Sequence, residues 1–377
     1  MRKAFICPPK YVQGENEILN LGYFVKTFGE SALLIAHPDD AERVREKLDA
    51  TAKKFGISFA VGDFGGECSR GEVSKLQQAV KDKNCSCIVG LGGGKAIDTA
   101  KCVAQGDALI IVPTIASTDA PTSHSAVLYT DDGAFDGFVF LKQNPDVVLV
   151  DTTVIANAPV RFLVSGMGDA LATYFEARAS AASFSGVSAG RLCGSREKVC
   201  KSAKGMNAAY AMAELCYRVL LEDGVKAKVA CECNQVTHAL ENIIEANILL
   251  SGLGFENGGL GAAHAIHNGF TILESTHGFF HGEKVAFGTL CQLVLENAPG
   301  DEINEVMEFC MAVGLPLSLA DIGVDQITSE KITAVAEKAC KREESMYAMP
   351  FPVTIDSVAA AIVTADRLGS AFKAGKK

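Results

Sequence analysis

Residues 87–101, CIVGLGGGKAIDTAK, decide the fold of the chain around them. An apolar run at 87–89 predicts a strand, a glycine run follows it, and residues 94–104 predict a helix. Glycines let a bound group approach the backbone, and a helix N-terminus offers free N–H groups to a phosphate. Lys95 stands where a G-x-G-x-x-G motif would have its last glycine, so a plain tight turn stays an alternative. Asp98, in the first turn of the helix, is expected either to bind a nucleotide or to favour the helix dipole.

Short apolar runs alternate with amphipathic stretches on both sides of this unit, up to about residue 150. The predicted strands are 32–35, 58–61, 87–89, 109–112 and 147–150, and the predicted helices are 39–55, 70–83 and 94–104. Residues 126–130 and 137–141 predict a β-hairpin. Alternation of strand and helix predicts a mostly parallel sheet with helices on both faces, which binds ligands beyond the carboxyl ends of its strands.

The loop after the strand at 109–112 is rich in hydroxyl side chains between residues 114 and 123 and holds one carboxylate, Asp119. Ser, Thr and Asp are common in turns, so an ordinary loop is the simpler interpretation. The loop is expected at the same sheet edge as the glycine run, which makes a ligand-binding role the competing one.

Four of the seven histidines fall within residues 258–284, GGLGAAHAIHNGFTILESTHGFFHGEK. His264 and His267 are three apart and would share one face of a helix, and neutral imidazole is the commonest metal ligand. The alternative is a helix cap or a buried polar network. A metal also needs a further ligand, for which Asp169 is a candidate; it is predicted near the start of a helix, where an N-cap role competes.

Length and composition bound the class of protein. The 377 residues favour two domains, placed at 1–162 and 163–377, the second with a helical period throughout. A net charge of −10 without a basic stripe argues against nucleic acid and against an anionic membrane surface. The start, MRKAFICPPK, does not predict a secretory leader, and no apolar run is long enough to span a membrane. The 13 cysteines then predict reduced thiols and a cytoplasmic location.

Taken together, these segments resemble the metal-dependent polyol dehydrogenases of the iron-containing alcohol dehydrogenase superfamily almost from end to end. The motifs that carry the resemblance are YVQG (11–14), GGGKAIDTAK (92–101), PTIASTDAPTS (113–123), NPDVVLVDT (144–152), GMGDALATYFEA (166–177), ALENIIEAN (239–247), SGLGFENGGL (251–260), AHAIHNGF (263–270) and HGEKVAFGTL (281–290). The resemblance implies an α/β NAD-binding domain with a mostly parallel sheet, followed by an all-α, metal-binding catalytic domain. It also implies a homo-oligomer, often an octamer in this family.

The resemblance also implies site residues. Asp169, His264 and His281 match the metal ligands of the family, and Asp119 matches a residue that contacts a substrate hydroxyl. The positions that match cofactor contacts are Gly92, Gly93, Gly94, Lys95, Asp98, Thr114, Ser117, Ser123, Ser125 and Tyr129. His267 and His277 are expected to relay a proton or to support the ligands.

Two positions depart from the usual family pattern. Iron-using relatives carry a fourth ligand, a histidine four residues after the aspartate, where this chain has Thr173; the chain therefore resembles the zinc branch. A site of three ligands with an open position is what catalytic zinc uses, although the same ligand types also suit ferrous iron. NAD-using relatives often place an acid after the first strand, where this chain has His37, with Asp39 and Asp40 just beyond, so NAD is preferred but NADP stays open.

The activity implied is reversible, NAD-dependent oxidation of a small vicinal diol, with glycerol and dihydroxyacetone as the favoured pair. One rival is a lyase of the same superfamily that resembles 3-dehydroquinate synthase and acts on a sugar phosphate; a dehydrogenase of phosphorylated glycerol is another. Both need a cluster of basic residues, for which the motifs offer only Lys284 and Arg178. The last rival is a metal- or nucleotide-binding protein without turnover.

Overall fold

The computed structural model describes residues 2–192 and 203–375. These residues form two compact units. One comprises Cys7–Phe162 and Val229–Gly252, and the other comprises Met1–Ile6, Leu163–Lys228 and Leu253–Lys377. In the described residues, no helix is both long and apolar enough to span a membrane.

A six-stranded sheet forms the centre of the first unit, and all of its strand pairs are parallel. The strands of this unit are β1 (Tyr11–Gly14), β2 (Ser31–Ala36), β3 (Ser58–Asp63), β4 (Cys87–Gly92), β5 (Leu109–Pro113), β6 (Ser125–Tyr129), β7 (Phe135–Phe140) and β8 (Val147–Asp151). The order in the sheet is β1-β8-β5-β4-β2-β3, while β6 and β7 pair as a separate antiparallel hairpin. The predicted parallel sheet is confirmed, and β1 is an edge strand that the apolar pattern did not reveal.

Helices cover the strands because the central strands are apolar on both faces. The helices of this part are α1 (Leu21–Phe28), α2 (Pro38–Arg43), α3 (Arg45–Phe55), α4 (Arg70–Asp82), α5 (Gly94–Ala104) and α6 (Thr152–Ala156). On one face, alternate residues such as Leu34, Val89 and Ile110 form a core with Leu21 and Leu48 of the helices. The single helix predicted over 39–55 is instead α2 and α3, separated at Val44, whose φ of −117° and ψ of 11° interrupt the helix.

The remaining helices are α7 (Val160–Ala182), α8 (Asn207–Glu232), α9 (His238–Glu245), α10 (Ser251–Gly258), α11 (Ala262–Phe270), α12 (His281–Leu295), α13 (Gly300–Val313), α14 (Ser329–Ala339) and α15 (Ile355–Gly375). They confirm a helical second half but correct its boundaries. The sequence pattern predicts helices over 208–222 and 225–253 with a break between them, whereas α8 continues through Gly224. Glycine serves packing at this position, since a Cβ there would lie 2.7 Å from the Phe309 ring. The chain breaks instead near Asn234, which has a φ of 54°. The stretch 183–204 is Ser/Gly-rich and basic, which predicts a surface loop. It lies partly outside the described residues, and its described part includes a 3₁₀ turn at Ser188–Arg191.

Residues 229–252 belong to the α/β unit, whereas the sequence-based division placed them in the helical domain. Polar side chains explain the difference. Gln13 donates to the carbonyl of Glu241 at 2.9 Å, and Asn247 donates to the carbonyl of Ala116 at 3.0 Å. A helical period does not reveal which neighbour a helix packs against, so this association could not be inferred from the pattern alone.

Candidate metal and cofactor sites

Asp169, His264 and His281 lie together in the helical unit. The Nε2 atoms of His264 and His281 are each 3.3 Å from Oδ1 of Asp169. The three potential ligand atoms all lie within 4.8 Å of one another, although the residues are up to 112 positions apart in the sequence. Asp169 is buried, while His281 retains 37% side-chain exposure. The structure thus brings together the three residues that were predicted as metal ligands.

Three helices supply these side chains. Asp169 lies in the middle of α7, which corrects the expectation that it stands near a helix start and removes the N-cap interpretation. His264 lies in the first turn of α11, and His281 is the first residue of α12. Gly282 allows α12 to approach α7 because a Cβ at that position would lie 1.7 Å from the carbonyl oxygen of Ser165.

Glu176 lies behind His264. One carboxylate oxygen of Glu176 accepts from the backbone N–H of His264 at 2.8 Å, and the other lies 2.6 Å from its Nδ1. The side-chain oxygen of Gln292 in α12 accepts from the amide of the preceding residue, Ala263, at 2.9 Å. Gly261 at the N-cap has no side chain to cap α11, so residues of α7 and α12 cap it instead. The cap and the ring orientation of His264 therefore depend on the same carboxylate.

A longer series of side chains lies behind His281. Its Nδ1 is 3.1 Å from Nε2 of His267, and Nδ1 of His267 is 3.0 Å from Oδ1 of Asn268. Asn268 donates from Nδ2 to Glu344 at 2.7 Å. His267 thus supports His281, whereas the exposed His277 lies apart from this group, with its Nε2 2.9 Å from the carbonyl oxygen of Thr271.

Electrostatics favour an ionised Asp169. Burial alone would raise the pKa of this carboxyl, but His281 and His264 outweigh burial and hold the pKa well below its usual range. Burial would lower the pKa of His264, but Glu176 and Asp169 raise it well above the ordinary value. The pKa of His267 is lowered, first by burial and then by its neighbours His281, Lys284 and His264.

One carboxylate and two imidazoles fit a divalent metal in both ligand type and number. Thr173, one turn after Asp169, is buried, and its methyl carbon would lie 2.4 Å from a Cβ on Gly254. A tight contact between α7 and α10 therefore occupies the position where iron-using relatives carry a fourth ligand. The residues present fit a three-ligand site.

The glycine run of the α/β unit begins helix α5, as predicted. Gly92 has a φ of +146°, and Gly93 is the N-cap of α5 without a side-chain cap. Within the described part of the chain, no atom lies within 4 Å of a Cβ built on Gly94, so those residues leave the space beside the helix start open. Lys95 is ion-paired with Glu67 at 2.6 Å and lies over the ring of Tyr129 at 5.8 Å.

A buried lysine of α5 anchors the hydroxyl-rich loop that follows β5. Lys101 has no exposed surface and donates to Ser123 Oγ at 3.1 Å and to the carbonyl of Ser125 at 2.8 Å; it also donates to the carbonyl of Ala120. Asp119 accepts from the hydroxyl of Ser251 at 2.8 Å. The loop is therefore an anchored segment rather than a free turn.

Other predicted cofactor residues already have protein partners. Asp98 is the fifth residue of α5, so it lies beyond the first turn where it was expected. It is buried and accepts from the amide of Val127 at 2.9 Å, and burial raises its pKa. Thr114 is buried and donates to Asp40 at 3.1 Å, while Ser117 is half-buried. Burial, aided by Asp98, raises the pKa of Tyr129 to about 12. Asp98 thus has a structural role as a link between α5 and β6.

The sequence interpretation missed the supporting residues. Glu176 follows Asp169 by seven residues, two helical turns, so its position on the same face of α7 was a usable signal. Asn268 adjoins His267, but Glu344 is 76 residues further on, and nothing in the local pattern connects them. Lys101 carries no motif signal beyond its place in the glycine-loop helix.

Comparison with known proteins identifies the family. The family model described as iron-containing alcohol dehydrogenase matches residues 8–152. The chain is 48% identical to a glycerol dehydrogenase of Thermotoga maritima over 97% of each chain, and 46% identical to one of Escherichia coli O6:H1 over 99% of each. The crystal structure of glycerol dehydrogenase from Schizosaccharomyces pombe matches with a TM-score of 0.92 at 36% identity, over 99% of this chain and 93% of that chain. The chain therefore belongs to the iron-containing alcohol dehydrogenase family. Within the family, the chain is similar in sequence to the glycerol dehydrogenases over nearly its whole length.

Proposed function

We propose that the chain catalyses the reversible, NAD-dependent oxidation of glycerol, or of a related vicinal diol, to dihydroxyacetone or the corresponding hydroxyketone. The observation that carries the proposal is the Asp169, His264 and His281 cluster in a chain similar over its whole length to glycerol dehydrogenases. Asp169, His264 and His281 would hold one divalent metal, and Thr173 in place of a histidine as fourth ligand favours zinc.

The residues of the helical unit supply binding and orientation. Zinc bound there would supply Lewis acidity, which lowers the pKa of a substrate hydroxyl. Glu176 and His267 hold the two imidazoles from behind, so that Nε2 of each ring faces Asp169. Burial of Asp169 limits water around the charged group and strengthens its interactions. Asp119, fixed by Ser251, is proposed to contact a substrate hydroxyl.

The glycine run and the start of α5 are proposed to bind the pyrophosphate of NAD, with N–H groups and Lys95 as donors. The further proposed contacts are Asp98, Thr114, Ser117, Ser123, Ser125 and Tyr129. The position of Asp40 supports a preference for NAD over NADP. One of its carboxylate oxygens accepts from Thr114, which follows β5, and the other would lie 3.3 Å from a Cβ on Gly92, the last residue of β4. A carboxylate at the ends of β4 and β5 would accept from ribose hydroxyls and repel a 2′-phosphate.

We extend the proposal to a homo-oligomer, which light scattering on the purified protein tests.

The basic residues named by the sugar-phosphate alternatives have other partners. Arg178 binds Glu302 at 2.6 Å and also contacts Glu296. Lys284 is buried with its Nζ 3.5 Å from the carbonyl oxygen of Thr276. These contacts favour an uncharged diol over a phosphorylated substrate.

The proposal is tested by NADH formation with glycerol, propane-1,2-diol, propane-1,3-diol and glycerol 3-phosphate. We expect turnover with the two vicinal diols, weaker turnover with propane-1,3-diol and none with the phosphate ester. His264→Ala should abolish turnover, and His277→Ala, which removes an exposed histidine of the same segment, should retain it. Absence of turnover with every diol and both cofactors, in protein that binds zinc, would contradict the proposed function.

A further inference from the structure

The side chains behind His281 end at a buried carboxylate that no motif assigns to the site. Glu344 has 8% of its surface exposed and is bound by Lys338 at 2.7 Å. Its other oxygen accepts from Asn268 at 2.7 Å. A carboxylate that is ion-paired with a lysine offers acceptor oxygens to its other neighbours and no donor.

That restriction fixes the direction of every hydrogen bond in the series. Because Glu344 only accepts, Asn268 must turn its NH₂ group to Glu344 and its oxygen to His267. His267 must then carry its proton on Nδ1, which leaves Nε2 as an acceptor. The Nδ1 of His281 must in turn donate to His267. The free lone pair of His281 is thereby on Nε2, the atom 3.3 Å from Asp169.

We propose that Glu344 and Asn268 are positioning residues that set the tautomer of His267 and, through it, keep Nε2 of His281 free to bind a metal. The inference rests on the proposed metal centre. It adds that the hydrogen bonds that orient His281 extend as far as Lys338 in α14. His264 obtains the same result in one step, from Glu176. The two imidazoles are thus oriented by two carboxylates, one in direct contact and one at the end of a series of three hydrogen bonds. Partners that orient ligands in this way commonly contribute 10- to 100-fold in metal affinity.

The variant Glu344→Gln preserves the shape of the side chain but should exchange donor and acceptor in each hydrogen bond of the series. The new side chain can keep its oxygen on Lys338 and direct its NH₂ group to Asn268, whose amide then turns round. His267 would receive a hydrogen bond at Nδ1 and carry its proton on Nε2, facing His281. The proton of His281 would move to Nε2, where it competes with the metal. The matched control is Glu343→Gln, an adjacent exposed position with the same change of charge.

Two measurements on the full chain test the inference. Zinc affinity, measured by competition with a chelator, should fall about 10- to 100-fold in Glu344→Gln and stay unchanged in Glu343→Gln. The ¹⁵N chemical shifts of histidine-labelled protein near pH 8 should place the His267 proton on Nδ1 in the wild type and on Nε2 in Glu344→Gln.

Each result of these measurements either supports the inference or overturns it. Equal zinc affinity in the wild type and Glu344→Gln overturns the inference, as does weaker affinity without a change of tautomer, which would indicate a merely structural role. If Glu344→Gln does not fold, the wild-type spectrum still decides, because an Nε2 proton on His267 contradicts the series. A wild type that binds no zinc, yet shows His267 protonated on Nδ1, would refute the metal centre and leave the hydrogen-bond series intact.

Discussion

The carboxylate of Glu176 binds His264 twice, at the backbone amide with a distance of 2.8 Å and at ring atom Nδ1 with a distance of 2.6 Å. One side chain of α7 thereby caps α11 and orients the imidazole that faces Asp169. Asp169 and Glu176 come from the same face of α7, so a single helix supplies both a proposed ligand and the partner of another proposed ligand. The geometry of the cluster therefore depends on the register between α7 and α11.

Glu176→Gln should weaken zinc binding about 10- to 100-fold while most of the fold persists. The glutamine oxygen can still accept from the His264 amide, but its NH₂ group would face Nδ1 and favour the tautomer with a proton on Nε2. The measurement is zinc affinity by chelator competition, with exposed Glu274→Gln as the control. Unchanged affinity in Glu176→Gln would show that ring orientation does not depend on this carboxylate.

Gly282→Ala should destabilise the protein by about 3 kcal/mol or more, since overpacking at a backbone contact cannot be relieved by a side-chain rotation. The added Cβ would lie 1.7 Å from the Ser165 carbonyl oxygen and push His281 away from Asp169. Urea unfolding of the metal-free protein measures the effect. Gly278→Ala is the matched control, because none of the residues that the structure describes has an atom within 4 Å of a Cβ at this position. Equal stability of the two variants would refute the close approach of α12 to α7.

Lys101→Met should cost about 3–5 kcal/mol, the range for breaking a buried ionic interaction by removing one partner. The change would remove the charged donor from the carbonyls of Ala120 and Ser125 and leave Asp98 without its nearest cation, 3.6 Å away. Unfolding in urea is compared with Lys81→Met, a lysine exposed on α4. A loss as small as that of Lys81→Met would mean that Lys101 does not anchor the loop.

Thr173→His should not create an iron site. The tight contact of Thr173 with Gly254 leaves no room for an imidazole in that direction, so the variant is expected to lose stability and to keep the preference for zinc that we propose for the wild type. Competitive loading with ferrous iron and zinc under anaerobic conditions measures the preference, and Thr173→Ser is the control for loss of the methyl group. Tight iron binding by Thr173→His would contradict this account of the missing ligand.

The residues that could be predicted are those whose chemistry and local spacing are unusual. The glycine run before α5 and the four histidines near residue 264 stand out in the chain, and the central strands are continuous apolar runs. The edge strand β1 was missed because its four residues are only half-buried and present no apolar run. Gly224 was misjudged because glycine marks a break in some helices and a close packing contact in others, and only the Phe309 ring distinguishes the two.

The supporting contacts could not be predicted because they join distant parts of the chain. Glu344 and Lys101 are ordinary charged residues in helical segments, and their roles follow from burial and from partners supplied by other elements. The assignment of residues 229–252 to the α/β unit likewise depends on side chains such as Gln13 and Asn247 that meet backbone carbonyls far away in sequence.

The most direct test of the central claim is a zinc titration of chelator-stripped protein, with bound zinc and NADH formation from glycerol measured on the same samples. The account predicts that turnover rises in proportion to bound zinc and reaches its limit at one zinc per chain, and that Asp169→Asn neither retains zinc nor turns over. Full turnover in the stripped protein, or one zinc per chain retained by Asp169→Asn, would contradict it.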